Sequence, residues 1–173
     1  MQGYSATPAD LGLTFDDLSL ETTDGLSIAA WYVPNTKPQG NVFFCHSNAG
    51  NIADRLVTIK ALHLRGHHVL IFDYRGYGRS EGKPDEAGNY EDAETAWRYL
   101  VETRGERPDR IVLIGRSLGG AVAIELATRH APTPSYILFL HALGGETRYQ
   151  AFFLPTKILL TIFHSPPILK SER

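Results

Sequence analysis

A serine in a glycine-rich turn offers the clearest chemistry in this chain of 173 residues. Residues 115–119 read Gly-Arg-Ser-Leu-Gly, which fits the pattern G-x-S-x-G. A serine hydroxyl held at a sharp strand-to-helix turn can attack a carbonyl carbon, and a main-chain N–H at the start of the helix can bind the oxyanion that forms. The pattern therefore predicts Ser117 as a nucleophile and the N–H of Leu118 as a donor to the oxyanion.

The segments on either side of this turn fit the geometry that the chemistry needs. Ile111 to Ile114 is a run of branched apolar residues, which is typical of a short strand buried on both faces. Gly120 and the alanine-rich run Ala121 to Ala127 predict a buried helix after the turn. The flanking glycines remove side chains that would clash in so tight a turn. The alternative is a glycine-rich loop before a core helix, since G-x-S-x-G alone also occurs by chance.

Composition narrows the class of protein. A hydrophobic fraction of 43% and a charged fraction of 21% are ordinary for a soluble globular protein, and the length suits a single domain over residues 1–173. The net charge of −2 and the lack of a basic block argue against a nucleic-acid partner. The single cysteine, Cys45, excludes an internal disulfide and any multi-cysteine metal site, and its apolar strand favours an inert buried thiol. We expect neither a cofactor nor a metal.

Targeting signals are not evident in the sequence. The first residues lack both the basic and the apolar segments of a signal peptide. The apolar stretch from Ala151 to Phe163 is interrupted by Pro155 and Lys157 and is too short to span a bilayer. We therefore expect a cytoplasmic protein without a membrane span in this chain.

Apolar runs and turn residues indicate strands that alternate with helices. The residues Thr23-Asp24-Gly25 predict a hairpin turn between the first two strands. Helical spacing predicts one helix from Ile52 to His63 and another from Tyr90 to about Arg104. This alternation is typical of an α/β fold with a mostly parallel sheet and helices on both faces. Apart from the strand before the serine, the predicted strands are Leu18–Thr22, Ile28–Val33, Asn41–Cys45, His67–Asp73 and Tyr136–Leu140.

Three motifs in the right order resemble those of the α/β-hydrolases. They are CHSNAGN at 45–51, FDYRGYGRSEG at 72–82 and IGRSLGGAVA at 114–123. More narrowly, residues 4 to about 138 resemble the Bem46-like branch of the serine hydrolases, which is close to the serine aminopeptidase S33 type. The resemblance implies the α/β-hydrolase fold and hydrolysis of a small-molecule ester or amide through an acyl-enzyme.

The resemblance also assigns roles to residues around the turn. Ser117 would be the nucleophile, and the backbone N–H groups of Leu118 and Asn48 would form the oxyanion hole. In this fold the loop that holds Asn48 follows the strand next to the serine strand, so the two strand ends meet. His46 is expected to shape that loop by a hydrogen bond to backbone. Ser47 stands where the family usually has glycine, and because its β-carbon restricts positive φ angles, we expect a distorted loop.

The motif D-x-R-G-x-G-x-S supplies three further charged residues. They are Asp73, Arg75 and Arg79. We interpret them as an ion-paired turn rather than as contacts to substrate.

The acid and the histidine that follow the serine in α/β-hydrolases have no recognisable counterpart here. Residues 144–173 resemble instead a partial cap-like helical segment, so the fold is expected to be incomplete at its C-terminus. His141 and His164 are the histidines that remain as candidates for a base. The strand at 136–140 is expected to form an exposed sheet edge, open to association. Because a triad that has lost its histidine turns over about 10⁶-fold more slowly, we predict an impaired enzyme.

Two other classes of function are alternatives to a serine hydrolase. The missing acid and base favour a non-catalytic α/β-hydrolase remnant or interaction module. A nucleotide-binding domain is disfavoured, since there is no G-x-x-x-x-G-K-[ST] motif and GRSLGG departs from G-x-G-x-x-G. Relatives in the family often carry an upstream membrane anchor, and the sequence leaves open whether one precedes residue 1.

Overall fold

Alternating apolar strands and helices assemble here into a sheet with helices on both faces. The computed structural model describes residues 3–130, 136–142 and 149–155. In this part of the chain seven strands form one sheet in the order β1-β2-β4-β3-β5-β6-β7. The neighbouring pairs β4–β3, β3–β5 and β5–β6 are parallel, and the other three pairs are antiparallel. The strands β1 to β7 are Asp16–Glu21, Ser27–Val33, Gly40–Cys45, His67–Phe72, Ile111–Arg116, Tyr136–Ala142 and Tyr149–Pro155.

The central strands are buried on both faces, as their continuous apolar sequences predict. In β3, Val42 and Phe44 face one core, and Phe43 and Cys45 face the other. This alternation follows from the two-residue period of a strand. The sheet therefore carries two hydrophobic layers, one under each set of helices.

The helices divide between those two layers. One layer packs under α1 (Leu56–Leu64), which follows a 3₁₀ turn at Ile52–Arg55. The other packs under α2 (Glu86–Arg98) and α3 (Leu118–Arg129). A π-helical turn at Tyr99–Thr103 extends α2, which accounts for the predicted helical reach to about residue 104. Across the described ranges, no helix combines the length and the apolarity that a bilayer span requires.

The C-terminal side of the sheet differs from the sequence prediction. The strand predicted at 136–140 is β6, and it is not an exposed edge, because β7 pairs with it from Tyr136↔Pro155 to Ala142↔Tyr149. The predicted helical segment 144–173 is wrong at residues 149–155, which form a strand. The aromatic residues of this stretch suit a strand that has a neighbour to pair with. The other residues of the predicted cap-like segment 144–173, including His164, lie outside the described residues. His141 lies in β6.

Candidate active site

Ser117 is the single residue between β5 and α3. β5 ends at Arg116 and α3 begins at Leu118. The backbone of Ser117 has φ 52° and ψ −116°, and no other non-glycine residue in the described part of the chain has a positive φ. This conformation is sterically unfavourable for a residue with a β-carbon. Ser117 is also exposed. The predicted strained turn from a strand through a serine into a helix is therefore confirmed.

The two glycines of the motif are required by close packing rather than by their φ angles. A Cβ on Gly119 would lie 2.0 Å from the carbonyl oxygen of Cys45 and 2.7 Å from that of His46. A Cβ on Gly115 would lie 2.5 Å from the carbonyl oxygen of Gly119. Real Cβ contacts are not this short, so neither position can hold a side chain without a shift of the backbone. The first turn of α3 consequently lies directly against the end of β3.

The ends of β3 and β5 bring the serine turn and the loop at 46–51 together. The two strands are parallel neighbours, with Cys45 opposite Gly115. A pocket of about 500 Å³ lies beyond these strand ends, within the usual size range of small-molecule sites. It brings together all three residues predicted for the site, namely Ser117, Leu118 and Asn48. The rest of its described wall consists of Tyr77, Pro84, Asp85, Glu86, Asn89, Tyr90, Ala121 and Val122.

His46 lies beneath the loop and is completely buried. Its Nδ1 atom lies 2.8 Å from the carbonyl oxygen of Ser47, and the hydroxyl of Tyr74 donates to the carbonyl of His46 at 3.1 Å. The expected role of His46 in shaping the loop is therefore confirmed. The distortion expected from Ser47 is not found, since Ser47 does not adopt a positive φ and its position has no need of glycine.

The ion-paired turn predicted for the D-x-R-G-x-G-x-S segment is confirmed for its two arginines, whose partners lie outside the segment, but not for Asp73. Arg75 binds two carboxylates, that of Asp92 at 2.9 Å and that of Asp24 at 2.9 Å. Burial raises the pKa of Asp92, and the guanidinium of Arg75 opposes that shift. Arg79 pairs with Asp17. These contacts join the turn to α2 and to the β1–β2 hairpin.

Asp73 has a different environment within the same turn. Its carboxylate is fully buried and accepts hydrogen bonds from the hydroxyl of Tyr4 at 2.6 Å and from the N–H of Ile52 at 3.0 Å. Its Oδ1 atom lies 3.4 Å from Nε2 of His46. Burial, and next the charge of Asp73, raises the pKa of Tyr4. The Asp73 carboxylate thus accepts one hydrogen bond at each oxygen, from Tyr4 and from Ile52.

Sequence reasoning missed the residues that complete the pocket wall. Tyr77 donates a hydrogen bond from its hydroxyl to the side-chain oxygen of Asn48. The first turn of α2 also lines the pocket, because this helix begins at Glu86 rather than at Tyr90. The available signal was Asp85, which follows a proline and caps the helix by accepting from the N–H of Gly88 at 2.8 Å. A capping residue at this point predicts an earlier helix start.

The described wall of the pocket contains no histidine. Its carboxylates have structural partners, since Asp85 caps α2 and Glu86 accepts from the hydroxyl of Tyr90 at 2.8 Å. Cys45 lies behind the serine turn and is fully buried, and this burial raises the pKa of its thiol. The described residues thus bring the predicted nucleophile and the predicted oxyanion donors to the pocket, but no imidazole.

This arrangement of sheet, serine turn and pocket agrees with comparisons to known proteins. A sequence model of the family described as serine aminopeptidase, S33, matches residues 36–165. The chain belongs to this family and is a Bem46-like α/β-hydrolase.

Two curated relatives and one solved structure illustrate the similarity. The alpha/beta hydrolase domain-containing protein WAV2 of Arabidopsis thaliana is 38% identical over 158 residues, which cover 89% of this chain and 51% of that protein. Protein bem46 of Schizosaccharomyces pombe is 35% identical over 133 residues, which cover 72% of this chain and 43% of that protein. The structure of the Pyrococcus furiosus esterase Pf2001 matches with a TM-score of 0.66 and 26% identity, covering 77% of this chain and 53% of the esterase chain. The chain spans about half the length of the curated relatives it matches.

Proposed function

We propose that the protein is a serine hydrolase of esterase or peptidase type that forms an acyl-enzyme through Ser117. The observation that carries the proposal is the strained, exposed Ser117 at the mouth of a pocket that Leu118 and Asn48 also line. A strained backbone persists only where the surrounding structure enforces it, and such strain clusters at active sites. Membership of the S33 family and the likeness to an esterase structure support the same chemistry.

The proposed reaction begins with attack of the Ser117 hydroxyl oxygen on the carbonyl carbon of a small ester or amide. The new C–O bond forms as the hydroxyl proton passes to a water molecule, and the negative charge moves to the carbonyl oxygen. The N–H groups of Leu118 and Asn48 stabilise that charge, and one such donor typically contributes about 2.7–4 kcal/mol to the transition state. The carbonyl re-forms as the alcohol or amine departs with a proton, and water then hydrolyses the acyl-enzyme.

A non-catalytic role is the second candidate. The observation in its favour is that the described wall of the Ser117 pocket contains no histidine that could accept the proton. A serine hydroxyl needs a base in hydrogen-bond reach to become a good nucleophile. We therefore propose that this chain alone turns over poorly, with a remaining acceleration over water of about 10³–10⁴ from binding and the oxyanion hole.

A fluorophosphonate probe separates these two candidates. It reacts covalently with an activated serine hydroxyl, and mass spectrometry of the tryptic peptide locates the adduct. For a serine hydrolase we expect an adduct on Ser117 that is absent from the Ser117→Ala variant. Ser47→Ala is the matched control, since it removes a serine hydroxyl from the adjacent loop at 46–51.

Two results would support the non-catalytic role instead. One is a folded chain, judged by circular dichroism, that forms no adduct under conditions in which a related esterase reacts fully. The other is an adduct that persists in the Ser117→Ala variant.

The cytoplasmic location expected from the N-terminal sequence stays a prediction.

A further inference from the structure

A single buried carboxylate lies beside both ends of the loop that carries Asn48 and is hydrogen-bonded to one of them. Oδ1 of Asp73 accepts the N–H of Ile52 at 3.0 Å, directly after the loop at 46–51. The same oxygen lies 3.4 Å from Nε2 of His46, at the start of that loop. Both His46 and Asp73 are completely buried. The position of the loop is therefore tied to a carboxylate that is not part of the pocket wall.

The hydrogen bond of His46 fixes the orientation of the next peptide group. Because the carbonyl of Ser47 can only accept, the Nδ1 atom 2.8 Å away must carry the proton. The C=O of Ser47 and the N–H of Asn48 belong to the same planar trans peptide group, so they point in opposite directions. With the carbonyl directed at the buried imidazole, the N–H of Asn48 is directed away from it.

We propose that Asp73, acting through the N–H of Ile52, is a positioning residue that holds the loop where the N–H of Asn48 faces the oxyanion formed on Ser117. This inference rests on the proposed function, and it adds residues that do not touch the substrate. Asp73 holds the end of the loop by accepting the N–H of Ile52, His46 holds the carbonyl of Ser47 from Nδ1, and the planar peptide group carries that orientation to Asn48. The hydrogen bond from Tyr77 to the Asn48 side chain holds the same residue from the pocket side.

We call the contacts of Asp73 and His46 with the loop at 46–51 the relay. The N-terminal segment is joined to this relay through Tyr4. Its hydroxyl donates to Oδ2 of Asp73 at 2.6 Å, the oxygen that does not face His46. Its ring packs edge-on against Trp31, with 4.8 Å between the ring centroids, and Arg79 stacks over it at 4.5 Å. Gly78 makes room for this contact, since a Cβ there would lie 2.0 Å from Asp73 and 2.9 Å from the Tyr4 ring. The relay thus begins outside the catalytic motifs.

The test compares conservative variants by the kinetics of fluorophosphonate labelling. Asp73→Asn keeps the size of the side chain but removes its charge, and Tyr4→Phe removes one hydroxyl but keeps the ring contacts. We expect the maximal labelling rate to fall about ten- to a hundredfold in Asp73→Asn, which is less than the 10²–10³ typical of losing an oxyanion donor outright. A smaller fall, about three- to tenfold, is expected in Tyr4→Phe, because a hydrogen bond to a charged group is lost. The probe concentration at half-maximal rate should stay unchanged in both.

Two control variants separate positioning from a general loss of stability. Asp92→Asn neutralises another fully buried carboxylate, and Tyr32→Phe removes another tyrosine hydroxyl that hydrogen-bonds to a carboxylate, that of Glu106. Neither lines the pocket. Both should keep the maximal labelling rate of the parent chain below their own melting temperatures. Equal rate losses in the test variants and their controls would overturn the proposal.

A second measurement does not depend on any labelling. In ¹H–¹⁵N NMR spectra the backbone amide of Asn48 should shift in Asp73→Asn and in Tyr4→Phe but not in the two controls. An unchanged Asn48 amide in both test variants would refute the relay even if Ser117 reacts normally. If the parent chain forms no adduct while the Asn48 amide responds as expected, the proposed function fails and the coupling of Asp73 to the loop stands.

Discussion

Gly119 in the first turn of α3 lies in direct contact with the main chain of Cys45 at the end of β3. A Cβ at position 119 would be 2.0 Å from the carbonyl oxygen of Cys45 and 2.5 Å from its carbonyl carbon. These two residues lie on the strand and the helix that meet behind the turn at Ser117. The approach of their backbones fixes how deeply the start of α3 sits against the sheet, and with it the position of Ser117.

Substitution of Gly119 by alanine should therefore be costly. The added methyl group must displace backbone atoms rather than a flexible side chain, so we expect Gly119→Ala to lower the free energy of unfolding by about 3 kcal/mol, at the upper end for overpacking. Urea denaturation followed by circular dichroism measures the change. The matched control is Gly3→Ala, where a Cβ would meet nothing within 4 Å. A change in Gly119→Ala as small as in this control would contradict the packing argument.

The strained backbone of Ser117 predicts that a glycine at this position stabilises the fold relative to alanine, although both variants lose the reactive hydroxyl. Ser117→Gly removes the β-carbon at φ 52° and should raise the free energy of unfolding by about 1 kcal/mol relative to Ser117→Ala, which keeps it. Both variants lose the hydroxyl and should form no fluorophosphonate adduct at this position. Denaturant titrations of the two variants side by side make the comparison. Equal stabilities would mean that the turn stores no strain.

Removal of Arg75 should leave a buried carboxylate without its charge partner. The Arg75 side chain is 8% exposed and the Asp92 side chain 0% exposed. Breaking a buried pair in this way typically costs 3–5 kcal/mol, so we expect Arg75→Met to lose about that much stability at pH 7. Arg79→Met is the control, because the pair of Arg79 with Asp17 is exposed and such pairs contribute about 0–1 kcal/mol.

The same variant should show a defined dependence on pH. Burial raises the pKa of Asp92 above its ordinary value of 3.8, and Arg75 lowers it again, so loss of Arg75 must raise the folded-state pKa further. For a raised carboxyl pKa, the proton binds the folded state more tightly. Protonation of Asp92 therefore stabilises the folded protein in full below the pKa of the unfolded state. This contribution is lost as the pH rises through the pKa of the folded state. The deficit of Arg75→Met should thus shrink as the pH falls from 7 towards 4, and a constant deficit would count against this account.

The thiol of Cys45 should be unreactive in the folded protein. It is fully buried, and burial raises its pKa, so neither access nor thiolate is available for alkylation. Iodoacetamide at pH 8 should leave Cys45 unmodified in buffer and modify it completely in 6 M guanidinium, as measured by intact mass. Rapid modification in buffer, without loss of the native circular dichroism spectrum, would show that the strand opens.

Local signals in the sequence account for most of the fold that positions the site. The branched run before Ser117 predicts β5, the alanine-rich run after it predicts α3, and the turn at 23–25 predicts the β1–β2 hairpin, all of which are found. These elements were predictable because their periodicity and turn residues act over a few neighbouring positions. The loop-shaping role of His46 followed from the family motif and is found as well.

The contacts that were missed depend on residues far apart in the chain. Tyr4 reaches Asp73 across 69 positions, and nothing near either residue indicates the other. The sequence predicts that Arg75 forms an ion pair but not with which residues. Its partners are Asp24 and Asp92, because the β1–β2 hairpin and α2 pack against the turn. The prediction for residues 149–155 was wrong for a related reason. These residues form a strand because they pair with β6, and nothing within the segment itself indicates that neighbour.

The pairing of Cys45 with Gly115 joins strands that β4 and α2 separate along the chain. Long-range pairings of this kind close late in folding, because the loss of loop entropy comes before the contacts form. We therefore expect the loop after β3 and the serine turn after β5 to meet late in refolding from denaturant. Covalent trapping of Ser117 during refolding would report that late event, after the helices have already regained their far-ultraviolet signal.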